Sequence, residues 1–234
     1  ESGDFEKANF PIGVEGGKTS TCPTQNLMEA DDMKDGTPFV WNNQSNAYDN
    51  RDRRMKDTMV CNEMKWPVDP VEIWEGGTNG LPLQNATTTG YYLKKYVNNT
   101  ISFEAGSTVT KKQHNWVLFR YGEILLNYAE AMINAFHDPN YKDAVYNMSA
   151  REAVNQIRGR TNISLPGFPS DITEKDFVKR LKNERRVELA FEGHRFWDVR
   201  RWKELGQTAN IYGVKITKNN EVISYEKFLL ETRA

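Results

Sequence analysis

Residues 184–202, which read ERRVELAFEGHRFWDVRRW, constrain the fold of this chain more than any other segment. Nine charged residues alternate there with four large aromatic rings. The rings favour burial, but a charge that is buried without a partner strongly destabilises a protein. A fold that contains this segment must therefore provide partners for its charges, or it must expose them at a site where they act on a ligand.

A catalytic interpretation requires two carboxylates that face each other across a substrate. Glu188 and Glu192 lie four residues apart and share one face of a predicted helix. An arginine within helical reach, such as Arg185 for Glu188, lowers a carboxyl pKa and therefore disfavours a general acid. We therefore predict no catalytic residue in this segment.

Metal, cofactor and nucleic-acid binding are not indicated either. His194 follows Glu192 without the HExxH spacing that aims two imidazoles at one zinc ion. Cys22 and Cys61 show no zinc-ligand spacing, and the sequence leaves open whether they pair. The chain has 31 basic and 32 acidic residues, whereas nucleic-acid binders usually carry a basic excess. We predict no metal site, no cofactor and no nucleic-acid partner.

An ion network that holds the fold together is the remaining interpretation. Arginine presents a rigid fork of donors that pairs well with carboxylates, and aromatic rings can shelter such pairs and stack on guanidinium groups. We expect the network to lock two helices across a bend at Gly193, and we expect Trp116, Trp197 and Trp202 in the core. The predicted members of the network are Arg185, Glu188, Glu192, Arg195, Asp198 and Arg201.

Helical periodicity is strongest upstream of the charged segment. Residues 116–136 and 149–160 each carry one apolar face, and the two predicted helices approximate a single tetratricopeptide unit. The face predicted for the first helix comprises Tyr121, Ile124, Leu125, Tyr128, Met132 and Phe136. Residues 212–228 alternate as in a β-hairpin. Residues 1–115 are rich in Gly, Asn, Thr and Asp and are expected to be mostly irregular.

The charged segment lies within a longer motif that resembles a known family signature. Residues 180–205, RLKNERRVELAFEGHRFWDVRRWKEL, closely resemble the signature of the SusD/RagB family. Further motifs of that family follow in the same order: PTQNLMEA (23–30), DGTPF (35–39), YDNRDRRM (48–55), TGYYLKKYV (89–97), LFRYGEILLNYAEAM (118–132) and AVNQIRGRT (153–161). The resemblance runs from about Pro23 to Leu205, with Arg54 at a position where proline is common in the family.

The resemblance implies a mainly α, SusD-like fold. A tetratricopeptide-like helical scaffold would carry a loop-rich ligand-binding region and a small β-hairpin. Residues 1–234 would form part of one SusD-like domain. Within it, residues 1–115 would provide the ligand face, residues 116–205 the helical scaffold, and residues 206–234 the hairpin and a truncated end.

The resemblance also implies a function and a location. Members of this family are surface-exposed lipoproteins of Bacteroidota, and they capture nutrients, mostly glycans, for a partner SusC-like TonB-dependent transporter. The chain starts at Glu1 and lacks the family's lipidated N-terminal cysteine, its first helical repeats and its closing segment. We therefore expect a fragment of an outward-facing outer-membrane protein, anchored only by a lipid outside this fragment. We expect it to bind a glycan and not to be an enzyme.

Ligand contacts are expected from aromatic rings on loops. Sugar rings stack their apolar C–H faces on flat aromatic side chains, while their hydroxyl groups need polar partners. The predicted ligand-binding residues are Trp41, Asn43, Tyr48, Trp66 and Trp74. Each ring could instead cover the local core. A binder of peptide or another nutrient, a glycan-active enzyme and a purely structural helical adaptor remain alternatives.

Overall fold

The computed structural model describes residues 4–14, 16–43, 46–100, 115 and 117–233. Its helices are α1 (Asp4–Asn9), α2 (Gln25–Met28), α3 (Arg53–Thr58), α4 (Tyr121–Phe136), α5 (Ala150–Arg158), α6 (Glu174–Glu188) and α7 (His194–Arg201), followed by a short 3₁₀ helix (Leu205–Thr208). Its strands are β1 (Met59–Val60), β2 (Tyr92–Leu93), β3 (Asn210–Asn219) and β4 (Val222–Thr232). Strands β1 and β2 pair antiparallel, as do β3 and β4. The expectation of a mainly helical fold with a small hairpin is confirmed.

Helices α4, α5 and α6 pack around one hydrophobic core. Two of them begin at side-chain caps that satisfy backbone N–H groups left free in the first turn. Ser149 and Glu152 form a reciprocal capping box at the start of α5. Thr173 accepts a hydrogen bond from the backbone N–H of Asp176 at the start of α6. The caps therefore fix where these two helices enter the core.

The buried face of helix α4 matches the face that its sequence pattern predicts only in part. Its buried side chains include Leu125, Leu126, Ala129, Met132 and Ile133. Tyr121 and Ile124, which we expected on the buried face, are exposed. The apolar stripe of this helix is wider than the area that α5 and α6 cover. Periodicity alone therefore locates the helix but not the part of the stripe that becomes buried.

The β3–β4 hairpin packs on the loop-rich region. Val214, Ile216 and Tyr225 are buried in the core that this region forms. The backbone N–H of Val214 donates to the carbonyl of Thr89 at 2.9 Å. Gly90 permits this close approach, because it has a φ of +84° and a Cβ there would lie 2.5 Å from the Val214 carbonyl oxygen.

The expected bend between α6 and α7 contains a glycine with a left-handed backbone conformation. Gly193 has a φ of +81° and directly precedes α7. Helix α6 already ends at Glu188, so Gly193 does not cap that helix. A turn of residues 189–193 instead reorients the chain between α6 and α7.

Two further features concern the cysteines and the lengths of the helices. Cys22 and Cys61 are both free thiols, and burial raises the pKa of the Cys61 thiol to about 12. Among the helices of the described residues, none has both the length and the apolar character needed to cross a bilayer.

Candidate functional site

The carboxylates of the charged segment are held by a buried arginine from the loop-rich region. Arg54 donates through Nη1 to Glu184 Oε1 at 2.6 Å and to Glu188 Oε2 at 2.9 Å. Its Nη2 lies 2.7 Å from the Asp52 carboxylate. One buried guanidinium group is thus paired with three carboxylates. These bonds join α3, in the loop-rich region, to α6, in the helical core.

Further cations complete the pairing of Glu188 and Glu192. Arg120 donates through Nη1 to Glu188 at 2.6 Å and through Nε to Glu192 at 2.8 Å. Arg160 donates to Glu188 at 2.8 Å, and Lys95 donates to Glu192 at 2.7 Å. Each carboxylate is therefore bound by cations from at least two separate segments.

The electrostatic balance at Glu188 favours the ionised carboxylate. Burial by itself raises the pKa of Glu188. The positive charge of Arg54, the hydrogen bond from Arg120 and the charge of Arg160 outweigh burial and lower the pKa to about 2. Such a carboxylate cannot act as a general acid near neutral pH. Within the described residues, no group of three or more His, Cys, Asp or Glu side chains could hold a metal ion.

A second part of the network joins α6 to α7. Arg185 donates to Asp198 Oδ2 at 2.8 Å, and Arg201 donates to Asp198 Oδ1 at 2.9 Å. Arg185 therefore pairs with Asp198 rather than with Glu188, the partner that helical spacing suggested. Arg195 forms no ion pair with any described residue and donates instead to a glutamine side chain at 3.1 Å.

The aromatic rings of the charged segment do not all shelter these ion pairs. Trp197 is 67% exposed and Phe196 is 52% exposed, so the expectation that Trp197 lies in the core was wrong. Helix α7 turns its ion-paired face toward the protein, which leaves these two rings outside. Trp202 is partly buried, and its indole N–H donates to Glu130 at 2.8 Å. Trp116 lies outside the described residues.

Two of the predicted ligand-binding residues lie in the core. Tyr48 is 7% exposed and Trp66 is 5% exposed, so neither ring presents an open face to a ligand in this structure. The ring of Tyr48 packs edge-on against Tyr91 and Tyr225. The loop-rich region contains few apolar residues at regular spacing, and these rings form part of its core together with aliphatic and methionine side chains.

The other three predicted residues lie at or near the surface. The indole N–H of Trp41 donates to the side-chain oxygen of the exposed Asn43, and the Trp41 ring packs edge-on against Phe39 at 6.5 Å between centroids. Trp74 lies on a different loop, with the ammonium group of Lys218 at 4.6 Å from its ring centroid. Among the described ring contacts, none joins Trp41 to Trp74, so the two rings do not form one contact cluster.

A groove of about 870 Å³ runs along one side of α6. Its other walls come from residues 29–39, from residues 168–173 and from the region between Arg195 and Gln207. Side chains that line it include Phe39, Phe168, Arg180, Asn183, Arg186 and Arg195. Its volume lies within the range of ligand pockets, roughly 300–1,000 Å³. Since Phe39 lines the groove and contacts Trp41, the groove adjoins the predicted Trp41–Asn43 pair.

The sequence did not indicate this groove, because its walls are far apart along the chain. Arg180 donates to the carbonyl of Gly36 at 2.8 Å, and Asn183 donates to the carbonyl of Ala30 at 2.7 Å. These two bonds fix α6 against the loop that forms the opposite wall. One signal was available in the sequence, namely a basic face on α6. That face carries Lys175, Lys179, Lys182 and Arg186 at helical spacing.

The helical scaffold, the loop-rich region and the hairpin together define a SusD-like fold. The chain belongs to the SusD family, whose model matches residues 4–228. The match extends beyond both ends of the stretch, Pro23 to Leu205, in which the motifs were recognised. The resemblance seen in the sequence is therefore confirmed.

Individual relatives agree with this assignment. SusD-like protein P38 of Formosa agariphila is 37% identical over 91 residues, which are 36% of this chain and 16% of that protein. A crystal structure of a SusD-like protein from Bacteroides fragilis is 25% identical, with a TM-score of 0.77 over 98% of this chain and 46% of the other. A SusD-like carbohydrate binding protein from Bacteroides fragilis has the same fold, at 24% identity and a TM-score of 0.71, over 89% of this chain and 41% of the other. The chain thus spans less than half the length of these relatives.

Proposed function

We propose that this protein binds glycans at the cell surface and that the groove beside α6 takes part in the binding. The observation that carries the proposal is the position of the Phe39–Trp41 pair. Phe39 lines the groove, and the indole of Trp41 is held next to it by Asn43. Flat rings beside a planar amide match the apolar faces and the hydroxyl groups of sugars. Membership of the SusD family supports the same interpretation.

Trp74 is proposed as a second, separate ligand contact. Its partly buried ring lies beside the β3–β4 hairpin and is covered on one side by the ammonium group of Lys218. A glycan chain that extends over the loop-rich region would offer sugar units to more than one ring. We therefore propose Trp41, Asn43 and Trp74 as ligand-binding residues, whereas Tyr48 and Trp66 belong to the core.

The finer role is inferred from the family. We infer that the bound glycan is passed to a SusC-like TonB-dependent transporter and imported through the outer membrane. We further infer that the protein faces outward and is attached to the outer membrane by a lipid anchor. The protein is proposed to act without catalysis. The pairing of Glu188 and Glu192 with Arg54, Arg120, Arg160 and Lys95 supports this view, because it leaves neither carboxyl group as a proton donor.

Titration calorimetry of the full-length protein against a panel of polysaccharides and oligosaccharides tests this function. We expect saturable binding of at least one glycan, with no new reducing ends formed during prolonged incubation. Peptides of similar length serve as the comparison. Binding of peptides but of no glycan would show that the protein captures a different class of nutrient. Release of reducing ends would identify an enzyme. Either result would overturn the proposal.

A further inference from the structure

Two arginines of the groove lack a carboxylate partner among the residues that the structure describes. Arg186 of α6 and Arg195 of α7 both line the groove. Arg186 is partly buried and forms no hydrogen bond, ion pair or ring contact with any described residue. Arg195 has one hydrogen bond, from Nη2 to Gln207 Oε1 at 3.1 Å. Most other arginines of α6 and α7 are engaged by acidic side chains, so these two stand out.

The acidic groups near Arg186 are already engaged or neutral. The acidic groups that would stabilise its positive charge most, if both were ionised and unpaired, are Asp31 and Glu29. Glu29 is paired with Lys227 at 2.7 Å. Burial and the negative charge of Asp52 raise the pKa of Asp31 to about 8, so that this carboxyl group is largely protonated at neutral pH. Neither group therefore neutralises Arg186.

The same holds for Arg195. Its acidic neighbours are Asp198 and Glu204. Asp198 is paired with Arg185 at 2.8 Å, and Glu204 is paired with Lys182 at 2.6 Å. The positive charge of Arg195 also acts on Arg186, because the two guanidinium groups are close enough to repel each other. Two uncompensated like charges thus face one groove, which raises their free energy in the absence of an anion.

The charges along the rest of the groove are arranged unevenly. Lys175 and Lys179 are exposed and line it farther toward the start of α6, also without a partner among the described residues. Asp171 and Asp176 lie at that same end, and Asp176 accepts a hydrogen bond from the Thr173 hydroxyl. The end of the groove that contains Arg186 and Arg195 is therefore the one with an uncompensated positive charge.

We propose that this end of the groove binds the anionic substituents of an acidic glycan, the carboxylate of a uronic acid or a sulfate ester, through Arg186 and Arg195. The inference rests on the proposed glycan-binding function and names the class of glycan. A guanidinium group binds either anion through two parallel N–H donors. The apolar face of the same sugar chain can lie against Phe39, which lines the opposite wall.

Calorimetry with three oligosaccharides of equal length tests the inference on the full-length protein. One is neutral, one carries uronate carboxylates, and one carries sulfate esters. We expect at least one acidic oligosaccharide to bind about tenfold or more tightly than the neutral one, with an affinity that falls as salt is added. The anion that the groove prefers is identified by which of the two acidic compounds, the carboxylated or the sulfated one, binds more tightly.

Charge-removing variants connect this preference to the groove. Arg186→Gln and Arg195→Gln are each expected to weaken acidic binding about tenfold and to leave neutral binding unchanged. Arg200→Gln is the matched control, since Arg200 is exposed on α7 and, among the described residues, donates to the Phe196 carbonyl and stacks on the Phe196 ring without an acidic partner. Because Arg186 has no partner among the described residues, Arg186→Gln should not lower the melting temperature. A binding defect in a variant with an unchanged melting temperature cannot be attributed to misfolding.

The possible failures are distinguishable. If glycans bind but the neutral compound binds as tightly as the acidic ones, the inference is overturned and the proposed function stands. The same holds if the acidic preference survives in both Gln variants. If no glycan of any charge binds, the proposed function itself fails, and the inference fails with it.

Discussion

Arg54 lies 2.6 Å from Glu184 although 130 residues separate them in the chain. Arg54 belongs to the loop-rich region, and Glu184 belongs to the helical core. Both side chains are almost fully buried. The bond therefore connects the two halves of the structure at a point from which water is excluded, and its partners depend on each other for compensation of charge.

Removal of Arg54 should destabilise the protein strongly. Arg54→Ala leaves Asp52, Glu184 and Glu188 with less compensation in a buried site, and we expect a loss of about 3–5 kcal/mol in the free energy of unfolding. Urea denaturation of the full-length protein measures it. The neighbouring Arg53 is the control, because its ion pair with Asp57 is exposed and should contribute no more than about 1 kcal/mol. Equal losses in the two variants would contradict the role of Arg54.

The stability should fall in acid because of Glu188. Its pKa is lowered from 4.5 to about 2 in the folded protein. A carboxyl group with a depressed folded-state pKa stabilises the fold above its unfolded value and loses that contribution as pH falls toward the folded value. We expect a loss on the order of 3 kcal/mol between pH 5 and pH 2, measured by urea denaturation across that range. Glu188→Gln should flatten this part of the profile, and an unchanged slope in the variant would exclude Glu188 as its source.

Asp31 should have the opposite effect at higher pH. Burial and the charge of Asp52 raise its pKa from 3.8 to about 8. Above pH 3.8 the unfolded chain releases the proton that the folded protein retains, so stability decreases as pH rises toward 8. We expect Asp31→Asn to raise the free energy of unfolding at pH 7 by at least about 1 kcal/mol. The variant should also lose the decline between pH 5 and pH 8. A less stable variant with the same decline would contradict this assignment.

Gly90 should tolerate no side chain. A methyl group at Gly90 would lie 2.5 Å from both Cγ1 and the carbonyl oxygen of Val214, and the φ of +84° is itself unfavourable for alanine. We expect Gly90→Ala to cost at least about 2 kcal/mol of stability, measured as a lower melting temperature. Gly206→Ala is the control, because nothing lies within 4 Å of a Cβ at that position. Two variants of equal stability would refute the tight contact between the hairpin and the loop-rich region.

Trp41 should contribute to glycan binding. We expect Trp41→Ala to weaken the affinity for the glycan that the panel identifies by about three- to tenfold, the range of one aromatic stacking contact. Trp197→Ala removes a more exposed indole from α7 and should leave the affinity unchanged. Calorimetry of both variants decides between a specific contact at Trp41 and a general effect of surface aromatic residues.

The local elements of the fold could be predicted from the sequence because their causes are local. The apolar spacing of α4, the cap at Thr173 and the hairpin turn after Asn219 each depend on residues within a few positions. The glycine at position 193 indicated a left-handed bend for the same reason. Family motifs then indicated how these elements assemble.

Partners that are distant in the chain could not be predicted in this way. The sequence favoured Arg185 as the partner of Glu188, whereas the structure supplies Arg54, Arg120 and Arg160. The motifs that carried the family resemblance assigned no partner to Arg54 either. The burial of Tyr48 and the exposure of Trp197 depend on which faces of the helices and loops pack together. That packing is decided only when the whole core assembles, so the local sequence does not indicate it.

The most direct test of this account is a crystal structure of the full-length protein with the oligosaccharide that binds most tightly. The account predicts a sugar chain in the groove beside α6, in contact with Phe39 or Trp41 and with an anionic group at Arg186 or Arg195. It also predicts that Glu184, Glu188 and Glu192 remain bound to their arginine and lysine partners. A sugar held by these three carboxylates, with their cations displaced, would contradict it.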